Sequence, residues 1–209
     1  MRHFLHVLAV MTLALSPALL AGCAETPPSR FYALTPLPAD DTPHAANGIA
    51  TGVGPVAMPQ YLDRPEIVTR TGANGLALAE FDRWGGRLED NFTRVLAENL
   101  SVLLATDRVL IYPWSEPTPI DYQVSINVTG FEQDIDGAAV LTAFWSVLNG
   151  SDGHVLLTRR SSLREPTKTA ALAGLTAGSR YDAIVTAMSK TLAGLSREIA
   201  DAVKGLTPG

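Results

Sequence analysis

The sequence has one cysteine, Cys23, and a single thiol excludes any intramolecular disulfide. Histidine is scarce as well. Of the four, His3 and His6 fall in the first ten residues, which leaves His44 and His154 far apart in turn-like sequence. Neither HExxH nor paired-histidine spacing occurs, so no zinc site is legible. A G-x-S-x-G nucleophile elbow is missing. The glycines of "ATGVGPVA" lack the Lys-Ser/Thr ending that grips phosphate and magnesium, and read as strand glycines. No block of like charge stands out, and the formal net charge is −5. That argues against nucleic acid and against a polybasic membrane patch. No metal, cofactor or catalytic residue is expected.

The N-terminus, by contrast, is full of signal. Arg2 precedes "HFLHVLAVMTLALSPALLAGC", in which no Asp, Glu, Lys or Arg occurs from His3 to Cys23. A positive start, an apolar run and a small-residue end form a secretory signal peptide. A transmembrane anchor would need about 20 apolar residues and a stop-transfer cluster. Here "AETPP" follows instead. Leu20-Ala21-Gly22-Cys23 resembles the lipobox of bacterial lipoproteins. The resemblance implies cleavage before Cys23, a diacylglyceryl thioether on its sulfur and a palmitate-class chain on the new amino group. Ala24, where inner-membrane lipoproteins would carry Asp, implies the outer membrane by resemblance to enterobacterial sorting. The expected organisation is a signal peptide over 1–22, a lipidated linker over 23–30 and a single domain over 31–209.

About 187 residues remain after cleavage, enough for one self-sufficient core. "FYALT", Phe31 to Thr35, reads as a strand, and Ile49 to Met58 as a second with glycines at a bulge or close approach. Asn74-Gly75 marks a hairpin between Glu66–Thr71 and Leu76–Phe81. From Arg87 to Thr106 the period becomes helical, with Leu88, Phe92, Val95, Leu96, Leu100, Leu103 and Leu104 on one face. Asp90 and Arg94 are expected i,i+4 partners. "RVLIYP" follows, then three strand-like runs in β-meander order. Ile120–Val128 alternates, "AAVLTAFWSVLNG" is apolar on both faces and should lie centrally, and "HVLLTRRSSLRE" closes the set. Ser179 is expected to cap a final helix striped by Tyr181, Ile184, Val185, Met188, Leu192, Leu195, Ile199 and Val203. The fold class is mixed α+β: a mostly mixed or antiparallel sheet with two long amphipathic helices packed on it.

Three chemical readings can be weighed here. "EQDIDG", Glu132 to Gly137, imitates half a calcium loop, but Ala143 stands where a bidentate Glu is required, and a hairpin turn is the better reading. Glu80/Asp82 and Asp134/Asp136 could act as acid and base on one strand face, although solvated edge charges are commoner. Trp84, Trp114, Trp145, Phe144 and Phe131 could line a lipid pocket or simply fill the core.

The run "VGPVAMPQYLDRPEIVTRTGANGLALAEFDRWGGRLEDNFTRVLAENLSVLL", with the lipobox and "RFYALTP" before it and "YQVSINVTGFEQD" and "LREP" after it, resembles the PqiC/YmbA family of ABC-type transport auxiliary lipoproteins. "RWGG" departs from the "RWAEPL"-like form of that family at the helix start. The resemblance implies a non-enzymatic role: a lipid-anchored protein on the periplasmic face of the outer membrane. It implies an adaptor for an MCE-domain protein in an intermembrane phospholipid transport system that supports envelope integrity. A lipoprotein that carries lipid itself, and more remotely an envelope hydrolase, are the alternatives. A homo-oligomeric ring is a plausible assembly. The candidate partner-binding residues are Tyr61, Leu62, Asp63, Arg64, Arg70 and Trp84. Pro59 and Pro65 stiffen the backbone around the first four, and Tyr and Arg are favoured at binding hot spots. In the blander reading Tyr61 and Leu62 cover local core while Asp63 and Arg64 pair with each other.

Overall fold

The computed structural model describes residues 27–39, 48–114, 119–167 and 176–206. The signal-like segment, Cys23 and His44 lie outside these residues. In chain order the elements are β1 Arg30–Tyr32, β2 Thr51–Ala57, β3 Glu66–Arg70, β4 Leu76–Trp84, α1 Leu88–Leu104, β5 Val109–Ile111, β6 Tyr122–Gln133, β7 Ala138–Asn149, β8 Val155–Pro166 and α2 Ala177–Lys204. All eight strands join one open mixed sheet, and the fold is the α+β arrangement expected.

The sheet is organised by β6. Its alternating sequence forms one edge of an antiparallel β6–β7–β8 meander, paired from Tyr122↔Asn149 to Gln133↔Ala139. Its other edge is long enough to serve two partners. β2 lies parallel to it from Thr51↔Tyr122 to Ala57↔Asn127, and β3 meets it further along at Thr69↔Gln133. Two branches therefore leave β6: β2–β5, and β3–β4–β1. The second branch contains the Asn74-Gly75 hairpin and carries the candidate residues. The β6–β7 connection is the turn expected of "DIDG": Asp134 Oδ1 accepts from the Asp136 and Ala138 N–H groups, and Gly137 takes φ +80°.

Both helices pack on one face of the sheet because their apolar stripes have nowhere else to go. Phe92 of α1 meets Phe131 of β6 edge-on at 5.5 Å, and Trp145 of β7 donates to Ser161, which in turn donates to Glu198 of α2. The strand glycines of β2 are required by close approach. A Cβ on Gly52 would lie 2.9 Å from the Trp114 ring and from Ile120, and the register of β2 shifts between Val53 and Val56.

Four local expectations change. The strand at Phe31–Thr35 is paired only over Arg30–Tyr32; beyond it residues 33–39 leave the sheet. They run along the helices, where Asn91 accepts from Leu34 N–H, Ser189 from Thr35 N–H and Asn99 from Leu37 N–H. Helix α2 starts two residues earlier than Ser179: Thr176 is its N-cap and accepts from the Ser179 N–H. Arg94 bonds Glu98 rather than Asp90, and Asp90 faces Arg87 at 3.8 Å. β7 is hydrogen-bonded on both edges, as a central strand should be, but only its helix-side face is sealed. Phe144 on the other face is 45% exposed, with the Arg160 guanidinium over its ring.

Candidate functional site

The structure divides the six candidate residues into two groups. Tyr61 and Arg70 converge on Glu132, a residue of β6 that is 4% exposed. Tyr61 Oη donates to Glu132 Oε2 at 2.9 Å, Arg70 Nε donates to Oε1 at 2.6 Å, and the Phe131 N–H donates to Oε2 at 2.7 Å. The carboxylate is thereby met by three donors, which is what lets a charge stay buried. Burial first, and the adjacent Glu132 charge second, push the Tyr61 hydroxyl up to about 12. Arg70 is pushed above its ordinary value mainly by its bond to Glu132, so it stays charged. Its Nη1 also reaches the Ala73 carbonyl and so holds the β3–β4 turn.

The other group surrounds an open cleft of about 360 Å³, lined by Asp63, Arg64, Pro65, Trp84, Gly85, Gly86 and Arg87. The 3-10 turn Gln60–Leu62 and the proline after Arg64 set one wall. Its other wall is the Trp84-Gly85-Gly86-Arg87 link from β4 into α1. Asp63 and Arg64 do not pair with each other. Arg87 lies 3.6 Å from Asp63, and Arg64 lies 3.6 Å from Glu66, which also faces Arg83 at 3.8 Å. These are loose contacts between half-exposed groups, each worth little and free to exchange partners. Leu62 and Trp84, at 2% and 5% exposure, sit beneath this surface as part of the core. Trp145 and Phe131 are buried core residues as well.

A third cluster stands where the chain enters the domain, and only half of it was visible in the sequence. Asp82, 3% exposed, is gripped by the Arg30 fork, with Nε to Oδ1 at 2.7 Å and Nη2 to Oδ2 at 2.8 Å. Tyr32 Oη lies 2.7 Å from the same Oδ1 and 3.2 Å from the Gly178 carbonyl of α2. Asp82 is therefore a committed structural anion rather than an acid–base partner for the exposed Glu80. Asp134 and Asp136 are likewise both engaged by Arg164. No group of three or more His, Cys, Asp or Glu side chains is placed to hold a metal among the described residues. The bonds from Arg30, and secondarily from Tyr32, hold the Asp82 carboxyl below its ordinary value of 3.8. Its folded-state value is thus lower than its unfolded one. The resulting stabilisation is complete above the unfolded value and fades as pH falls through the folded one. On acidification below about pH 4 the wild-type unfolding midpoint should drop more steeply than that of Asp82→Asn. Parallel acid profiles would show that the clamp carries no such linkage.

Residues 32–200 match the family model described as ABC-type transport auxiliary lipoprotein component. The chain belongs to this family. The match runs from Tyr32 through most of α2 and so takes in the cleft and both buried carboxylates, Asp82 and Glu132. Members are described as transport-associated lipoproteins. Two solved structures share the fold. A crystal structure of an uncharacterised protein aligns with TM-score 0.65 at 23% identity, covering 85% of this chain and 99% of the other. The Xanthomonas campestris protein XCC0632, of the DUF330 family, aligns with TM-score 0.64 at 18% identity, covering 84% of this chain and 94% of that one. Among curated proteins none matches. Among the described residues no helix is long and apolar enough to cross a membrane, so membrane association of this auxiliary lipoprotein does not come from them as helical spans.

Asn91, Asn99, Ser189, Ser196 and Arg30 were not singled out from the sequence. A signal for the first four existed. Asn91 and Asn99 stand beside Phe92 and Leu100 on the apolar face of α1, and Ser189 and Ser196 stand beside Met188 and Leu195 on that of α2. A polar residue at a core-facing position asks for a buried partner. Arg30 offered no comparable pattern.

Proposed function

We propose that this protein is an outer-membrane lipoprotein, anchored through acylated Cys23, that serves as the periplasmic adaptor of an MCE-type phospholipid transport system. The observation that carries the reading is the family match over most of the folded body, 32–200. The lipobox-like Leu20-Ala21-Gly22-Cys23 supports the anchor. Six residues, "AETPPS", separate Cys23 from β1, so the domain works close to the bilayer. The docking surface is the cleft edge made by Asp63, Arg64 and Arg87. Leu62 and Trp84 support it from below, while the Tyr61–Glu132–Arg70 cluster fixes the turn that presents it. Its loosely paired charges can re-pair with a partner at little cost. The filled space between helices and sheet, occupied by Trp145, Phe92 and Phe131, favours docking over carriage of lipid inside the domain.

Affinity capture of the full chain from crosslinked intact envelopes tests the reading. An MCE-domain protein should be recovered, and its yield should fall at least about tenfold, as for hot-spot residues, with Arg64→Glu/Arg87→Glu. Repeated capture without any MCE-domain protein would overturn it.

A further inference from the structure

We infer that the outer face of the β1–β4 edge is a second membrane contact, which lies on the surface of the same bilayer that holds Cys23. The inference rests on the proposed lipid anchor. Phe31 is 68% exposed, Leu78 46% and Leu76 41%. The sheet register places them together. Phe31 lies beside Arg83, which pairs with Glu66; Leu78 pairs with Val68, and Leu76 with Arg70. Alternation along β3 puts residues 66, 68 and 70 on one face; the register shift between Glu66 and Val68 falls in β4, where five residues span two of β3, and this brings Arg83 to the face of Leu78 and Leu76. Arg30, Tyr32, Asp82 and Trp84 point the other way, where Tyr32 Oη meets α2. The apolar side chains therefore stand on the face turned away from the helices. β1 covers only Asp82 to Trp84 of β4, which leaves the edge at 76–81 unpaired by β1.

The length of the tether selects the occupant. Phe31 follows Cys23 by eight residues, so at most about 29 Å of chain separates the acylated sulfur from the exposed ring. Pro27 and Pro28 limit how that chain can fold back. An apolar strip joined to a bilayer this closely meets headgroups before it meets any diffusing partner. The charges exclude an electrostatic mode. Arg83 is balanced by Glu66 and Arg70 by Glu132, while Glu80 adds a carboxylate. The contact is therefore apolar, indifferent to high salt, and takes zwitterionic phospholipid as readily as anionic. It sets orientation: with this edge on the membrane, the helices face away from it.

Site-specific photocrosslinking decides the matter. The full chain, with its own signal segment, would carry p-benzoylphenylalanine in place of Phe31, Leu78 or Ile111. Ile111 is the control, 44% exposed on β5 at the other end of the strand order. All three side chains are substantially exposed, so folding should survive. After irradiation of intact envelopes, intact-protein mass reads both the lipid adduct and the acylation of Cys23. Phospholipid adducts at positions 31 and 78 should exceed those at 111 by about tenfold, the factor for burying part of a large apolar side chain. An acylated protein with equal lipid adducts at all three sites overturns the inference alone. So does an acylated protein whose adducts at 31 and 78 are mainly to another protein. An unacylated Cys23 overturns the anchor, and this inference with it.

Discussion

Cys23→Ala should free the protein from the membrane while leaving the domain folded. Each buried methylene contributes about 0.8 kcal/mol to anchoring, and one myristoyl chain holds only with K of about 10⁴ M⁻¹. A thioether diacylglyceryl group plus an amide-linked chain exceeds that by many orders of magnitude. With a cleavable secretory signal in place of residues 1–22, so that no apolar segment stays attached, loss of the sulfur removes the attachment point for the first two chains and leaves the new N-terminus unacylated. The exposed strip at Phe31, Leu76 and Leu78 is too small to retain the protein unaided. Fractionation should show at least about a hundredfold fall in the membrane-bound share. The unfolding midpoint of the released protein should stay within about 1 °C of wild type, since surface changes away from packed or bonded features have little effect. Retention of the variant in the membrane fraction through a high-salt wash would mean that something other than lipid is the main tether.

Glu132→Ala has the largest expected effect on the folded body itself. It strands the Tyr61 hydroxyl, the Arg70 guanidinium and the Phe131 N–H, all of which now end on one carboxylate. Removing one partner of a buried, hydrogen-bonded charge costs about 3 kcal/mol or more. For a domain of this size that is roughly 6–12 °C in the unfolding midpoint. Tyr61→Phe should cost only about 1 kcal/mol, because it deletes one donor and strands no charge. Arg70→Met in the Glu132→Leu background should recover much of the loss, since apolar isosteres of a buried pair are often tolerated. A drop of under about 1 kcal/mol for Glu132→Ala would show that water satisfies these groups and that the cluster is not a clamp.

The fold was largely readable because its periodicities are undiluted. β6 alternates from Tyr122 to Val128, α1 and α2 carry long apolar stripes, and Asn74-Gly75 marks the β3–β4 hairpin. The meander followed from order and turn spacing. What could not be read was pairing at long range. Nothing local says that β6 is shared along one edge by two branches, since that depends on which parallel strands reach it. Ser179 and Thr176 are both competent caps, and the choice depends on where the segment before α2 arrives. Asp90 and Glu98 are equally good partners for Arg94 by spacing alone, and a side-chain rotamer decides between them.

The candidate site shows the same division. That the stretch from Pro59 to Gly86 is unusual was plain from its charges, prolines and aromatics. Its internal arrangement was not. Tyr61 and Arg70 are nine residues apart and meet only because Glu132, more than sixty residues away, rises between them from β6. Leu62 and Trp84 read as contact residues by type, yet they are buried because the 3-10 turn and the bulged β4 fold them inward. Asp82 read as a free carboxylate because Arg30, its partner, arrives across a parallel pairing of β1 with β4.

By itself the sequence determined the class of domain, its membership of an auxiliary lipoprotein family, and the place of its single thiol at the end of a signal-like segment. Each of these is written in near neighbours along the chain: hydrophobic period, turn dipeptides and a short ordered motif. Only the tertiary structure decided which charges are buried and satisfied, which are loose at a cleft, and which apolar side chains remain uncovered. Those outcomes depend on strand register and on helices landing on one face of the sheet, and both are set by packing between segments that the chain keeps far apart.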